Sequence, residues 1–189
     1  MRKIVIIGPA GAGKSTLARQ LGDILKMDVF HLDRYFWQPG WKEKSKEDRV
    51  KILQELVQKS EWIIEGAYFS TSDIRLQKGD TVIFLDMPIL LCASRVLKRR
   101  YSVQQQQRPD LPAGCSERLN WRYMLKLLLF PFVGRKTLLR KLRWVEREKF
   151  ICLHSEEEVK AFLDVQRRFA SAPPRQQEAY AGQMISAHA

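Results

Sequence analysis

The chain has 189 residues, 45% of them hydrophobic and 29% charged, a balance that suits one globular α/β domain with a real core and excludes a disordered or fibrous protein. Its three cysteines, Cys92, Cys115 and Cys152, form no C-x-x-C pair, so neither a disulfide framework nor a zinc site is expected. The net charge of +12 is uneven: Ile89 to Phe150 holds 15 Lys+Arg against 4 Asp+Glu, which suits a polyphosphate or a nucleic acid.

The first element is an apolar strand, Lys3–Ile7, which runs straight into Gly8-Pro-Ala-Gly11-Ala12-Gly13-Lys14-Ser15-Thr16. This is a full P-loop, G-x-x-x-x-G-K-S. Its glycines let backbone N–H groups curl around phosphates, Lys14 carries charge to the outer phosphates, and Ser15 offers a hydroxyl to Mg²⁺. Leu17, Leu21, Ile24 and Leu25 then mark the apolar face of a helix, so strand, glycine turn and helix follow in the required order. ATP and Mg²⁺ are therefore the expected ligands, with Gly8, Gly11, Ala12, Gly13, Lys14, Ser15 and Thr16 around the nucleotide. A signal peptide is not expected in so short an apolar run, and no stretch reaches the ~20 apolar residues of a membrane span. A reduced, cytoplasmic protein is the expectation.

Four more strands follow at Asp28–Leu32, Trp62–Glu65, Thr81–Leu85 and Phe150–Leu153, separated by helical stretches. Ser45–Lys59 opens on a capping signal, Ser45-x-x-Asp48, and Ser155-Glu-Glu-Glu158 opens another helix. Repeated β-α alternation predicts a five-stranded parallel sheet flanked by helices. Ile89–Tyr101, Glu117–Phe130 and Lys136–Val145 are expected to be helices. Trp121, Tyr123 and Trp144 recur among their leucines and are expected in the core. The domain is expected to span 1–170, with a basic lid at about 100–120 and a mobile tail over 171–189.

Ligands in open parallel sheets sit beyond the carboxyl ends of the strands, so the acids there come first. Asp33 follows the second strand and is the candidate base for an acceptor hydroxyl. Glu65 ends the third and is the candidate metal partner through water. Asp86 ends the fourth, and a structural role fits it better, as it does His31 and His154. Arg95 and Arg99 are four apart on one helical face, suited to gripping a nucleotide, while Arg108 and Arg118 flank a Pro/Gly loop. Trp37 and Trp41 flank a Pro-Gly turn, where either an acceptor pocket or plain packing fits.

The P-loop with His31-Leu-Asp33, Trp37-x-Pro39-Gly40-Trp41, Trp62-Ile-Ile-x-Gly66, Asp80-Thr-Val-Ile-Phe-Leu-Asp86-x-Pro88, Arg95-Val-Leu-Lys-Arg-Arg100, Arg108-Pro-Asp110 and Gly114-Cys-x-Glu117-Arg118-Leu119 resembles the "DNA topology modulation protein" family of adenylate-kinase-like P-loop kinases. The resemblance covers roughly residues 1–165 and implies a nucleoside/nucleotide-kinase fold with phosphotransferase activity. It implies nucleotide contact by Arg95, catalytic roles for Lys14, Asp33, Arg99 and Arg118, and acceptor contacts by Asp33, Trp37, Gly66 and Arg75. Glu65-Gly66-Ala67 departs from the Asp-Gly-Asn expected there. The alternative reading is an ATP-binding regulatory or DNA-associated protein, although no helix-turn-helix, zinc-finger or RNP-like signature occurs. Neither reading fixes the acceptor or decides between monomer and dimer.

Overall fold

The computed structural model describes residues 1–101 and 121–172; side chains at 100, 101 and 121–123 are not described. The expected lid at about 100–120 and the expected tail over 171–189 lie almost wholly outside that range, together with Arg108, Cys115 and Arg118.

Five parallel strands form the centre: β1 (Lys3–Ile7), β2 (Val29–His31), β5 (Trp62–Glu65), β6 (Thr81–Leu85) and β7 (Phe150–Leu153). Their order across the sheet is β2-β5-β1-β6-β7. The chain moves outward to one side of β1 and then returns to build the other, so the topological switch lies at β1, where such sheets bind ligands. The strands are continuous apolar runs because both faces are covered. Alternate residues supply the two cores. Ile4, Ile6, Ile63 and Ile83 pack with Leu17 and Leu21 of α1 (Lys14–Leu25), Val96 of α5 (Ile89–Tyr101) and Phe162 of α8 (Glu156–Ser171). Val5, Ile7, Ile64, Val82 and Phe84 pack with Phe36 of α2 (Leu32–Phe36), Leu53 of α3 (Lys46–Leu56) and Leu138 of α7 (Gly134–Leu142).

Four of the five expected strands have the expected bounds. The second is shorter: Leu32, apolar enough to extend a strand, instead begins α2, and its buried side chain packs from the helix. Both capping signals form: Ser45 accepts the Asp48 N–H and Ser155 the Glu158 N–H. The first of these helices ends at Leu56, short of Lys59. Among the described residues, the basic segment forms α6 (Trp121–Leu128) and α7. Trp144 does not reach the core as expected. It is 90% exposed, because α7 ends at Leu142 and the following turn carries the indole outward. Two features were not among the expected elements: a hairpin of β3 (Trp37–Gln38) and β4 (Lys42–Glu43), and α4 (Ser72–Lys78). No described helix is long and apolar enough to cross a membrane.

Candidate active site

The P-loop leaves the end of β1 at the switch point and enters α1. Gly11 has φ +80°, and a Cβ on it would lie 2.3 Å from the carbonyl oxygen of Cys92, so only glycine lets the loop pack against α5. Gly13 caps α1 in the left-handed conformation with no side-chain hydrogen bond. The helix N-terminus therefore presents backbone donors and the positive end of its dipole to the loop, an arrangement that suits phosphate. Lys14 donates to the Pro9 carbonyl at 2.8 Å, a contact within the loop that a phosphate can replace. Desolvation lowers its pKa from the ordinary 10.5; Glu65 and Asp33 pull it up, and Arg99 pushes it down.

Glu65 ends β5 and is 4% exposed. One of its oxygens, Oε1, accepts from Ser15 Oγ at 3.1 Å and from His31 Nδ1 at 2.8 Å. An ionised carboxylate only accepts, so Nδ1 carries the proton. His31 stands opposite Glu65 in the β2–β5 register, which brings the two side chains to the same edge. His31 thus has a definite partner, Glu65, at the strand ends. Ser15 and Glu65 offer oxygen ligands only, the donor type that a hard ion such as Mg²⁺ takes.

Asp33 lies in the first turn of α2, and its Oδ1 accepts from the Tyr68 hydroxyl at 2.5 Å. Tyr68 in turn accepts from the Trp37 indole N–H at 2.6 Å. Burial, then the neighbouring Asp33, raises the Tyr68 pKa far above 10, so the phenol stays protonated. Phe36 packs edge-on to Tyr68, with ring centroids 4.7 Å apart, and Trp41 edge-on to Trp37 at 5.5 Å. Sequence reading missed Tyr68; an aromatic three residues beyond a strand-end acid is the signal that could have found it.

The remaining candidates take up supporting positions. Gly66 donates its N–H to Ile6 and accepts at its carbonyl from Arg75 Nη2 at 2.7 Å. Arg75 is fully buried, and desolvation lowers its pKa to about 10. Arg95 donates to the Gly11 carbonyl at 3.2 Å and pairs with Glu156, tying α5 to the P-loop and to the start of α8. At Asp86, Arg135 grips both carboxylate oxygens at 2.7–3.0 Å and ties α7 to the sheet end. Cys152 and His154 lie beside that pair. Burial, then Asp86, raises the Cys152 pKa to about 11.

This is the fold of P-loop small-molecule kinases. Shikimate kinase from Acinetobacter baumannii, in complex with shikimate, superposes with a TM-score of 0.57 at 15% identity, covering 89% of this chain and 92% of that one. Shikimate kinase from Bacteroides thetaiotaomicron gives 0.51 at 13% identity, covering 89% and 98%. In sequence, the chain is 32% identical to a shikimate kinase of Histophilus somni, over 47% of this chain and 59% of the relative. It is 28% identical to one of Rhodococcus erythropolis, over 46% and 60%. An uncharacterised protein of Bacillus subtilis, YqaC, is 29% identical over 53% and 57%. The chain spans about 60% of the length of these relatives. No family model matches it.

Proposed function

We propose that the chain is an ATP-dependent phosphotransferase that passes the γ-phosphate to a small hydroxyl- or phosphate-bearing acceptor, and that it belongs with the DNA topology modulation proteins its motifs resemble. One observation carries the reading. At the carboxyl ends of adjacent parallel strands, the P-loop serine donates to the Glu65 carboxylate, and Asp33 follows the neighbouring strand in the first turn of α2. The partial similarity to shikimate kinases supports the same class of chemistry.

In this mechanism the phosphates lie on the loop amides and the α1 N-terminus, and Lys14 turns from Pro9 to the outer phosphates. Ser15 and, through water, Glu65 would hold Mg²⁺, which would supply charge neutralisation for the phosphates. Asp33 orients the acceptor hydroxyl and takes its proton. The acceptor oxygen bonds to the γ-phosphorus as the bond to the bridging oxygen breaks, and ADP leaves with the electron pair. A base so placed is worth about 10²–10⁴-fold in rate. Arg95 holds the nucleotide, while Arg99 and Arg118 serve the transferring phosphate. A cytoplasmic location, where ATP is supplied, fits this reading.

The alternative, a DNA-associated regulator working through the basic segment, is less well supported, since Arg95, Arg135 and Lys141 are already paired with Glu156, Asp86 and Asp73. Coupled ADP release with Mg·ATP, run against nucleosides, nucleotides, sugars and hydroxy acids, tests the reading. One acceptor class should accelerate ADP release well above the hydrolysis background. Acceleration by duplex DNA alone would favour the regulator.

A further inference from the structure

We infer that Asp86, Cys152 and His154 form a binding site for one Zn²⁺ ion at the β6–β7 end of the sheet. These strands lie on the other side of β1 from β5 and β2, which lead to Glu65 and Asp33. The site goes beyond the phosphotransferase reading and does not depend on it.

Two neighbouring strands bring the ligands together. Cys152 lies in β7 and His154 just after it, two apart along extended chain, so their side chains share a face. The register pairs Phe84 with Cys152 and Leu85 with Leu153, and Asp86 donates its N–H to the Leu153 carbonyl at 2.9 Å. Asp86 thereby arrives beside the other two. One ligand atom from each, a carboxylate oxygen, the thiol sulfur and an imidazole nitrogen, all lie within 4.8 Å of one another. His154 Nδ1 is 3.7 Å from Asp86 Oδ2. No C-x-x-C spacing marks such a site, because its ligands come from separate strands.

The ligands are held from outside. Arg135 fixes Asp86 from α7, while Oε2 of Glu158 accepts the His154 N–H at 2.7 Å and holds the backbone there. A carboxylate has about four lone-pair positions, and Arg135 reaches this one through two nitrogens, Nε and Nη2, so room remains for a cation. Carboxylates that bind metals are themselves hydrogen-bonded, which sets their direction. The donor set decides the metal. Mg²⁺ and Ca²⁺ take oxygen, whereas Zn²⁺ takes thiolate, imidazole and carboxylate, often three ligands from the protein with water in the fourth place. The His154 side chain is 56% exposed, so the ion and that water reach the site from solvent. On binding, the thiol proton passes to water and the sulfur electron pair to the metal. Charge then balances: with Glu158 set against Arg135, the Asp86 carboxylate and the Cys152 thiolate match one divalent ion.

The test is a Co²⁺ titration of the intact, reduced, tag-free chain without ATP, read by absorption. Co²⁺ stands in for Zn²⁺ and reports a bound thiolate through a charge-transfer band in the near ultraviolet. That band should saturate at one Co²⁺ per chain, vanish when one equivalent of Zn²⁺ is added, and survive a large excess of Mg²⁺. Cys152→Ser should abolish it. His154→Ala, at an exposed side chain, should weaken Co²⁺ binding at least about tenfold. Circular dichroism without metal checks that both variants fold; should Cys152→Ser unfold, His154→Ala alone decides. A band retained in folded Cys152→Ser, and so owed to another cysteine, overturns the inference. Absence of the band in the parent, or equal Co²⁺ affinity in His154→Ala, does the same.

Discussion

Tyr68→Phe removes one oxygen and with it both links of the Trp37–Tyr68–Asp33 chain. The bond to Asp33 is charge-assisted and short, and such bonds contribute about 1.5–3 kcal/mol. The Trp37 N–H is half-buried and can turn partly to water, so its loss adds little. A total near 2 kcal/mol follows, and at about 2–4 °C per kcal/mol for a chain of this size the melting temperature should fall by about 4–8 °C. Alkaline pH gives a second readout. The phenol's pKa in the folded chain lies above its ordinary 10.0, so above pH 10 the unfolded chain loses a proton that the folded chain keeps. Stability must then fall as pH rises, by up to about 1.4 kcal/mol per pH unit from this group. The variant lacks the group, so its urea-derived stability should decline less steeply than the parent's between pH 10 and 11. With Asp33 less well oriented, transfer to an acceptor should slow about tenfold while ATP affinity holds. Equal melting temperatures and parallel alkaline slopes would refute the bonding chain.

Further outcomes are specific to single groups. Lys14→Ala should leave the circular dichroism spectrum unchanged and abolish turnover at saturating Mg·ATP, since it removes the P-loop ammonium that carries charge to the outer phosphates. Glu65→Gln keeps the shape beside Ser15 and His31 but loses the charge; calorimetry should show ATP binding that needs at least tenfold more Mg²⁺. Cys152, with its pKa raised to about 11, stays a thiol at pH 8, so iodoacetamide should label it far more slowly than the unfolded chain, and the rate should climb steadily up to pH 11.

The parallel sheet was legible because buried strands are unbroken apolar runs, and four of them ended where those runs ended. The second strand was misjudged at Leu32, where hydrophobicity alone does not separate a strand residue from the first residue of a buried helix. The β3–β4 hairpin and α4 are too short for periodicity to register; only the Pro-Gly pair hinted at the turn. Lys14, Ser15, Asp33 and Glu65 could be picked out as candidates because a P-loop and strand-end acids occupy fixed places in chain order. The links around them could not. His31 meets Glu65 through a strand register that joins residues 34 apart, and Tyr68 reaches Asp33 across 35. Register and loop return are set by the packed sheet, and one sequence carries no direct mark of them. Arg75 was named as an acceptor contact; its burial against Gly66 instead makes it a fixed charge behind that wall.

Phosphoryl transfer governed by Asp33 is the central claim, and ³¹P NMR follows it most directly. Wild-type protein, Mg·ATP and the acceptor class that stimulates ADP release should convert the γ-phosphorus signal of ATP into a phosphate ester of the acceptor. Asp33→Asn, which keeps shape and removes charge, should bind ATP equally and form that ester at least a hundredfold more slowly. Ester formation at the parental rate by the Asn variant, or γ-phosphorus appearing only as inorganic phosphate with every acceptor, would contradict the account.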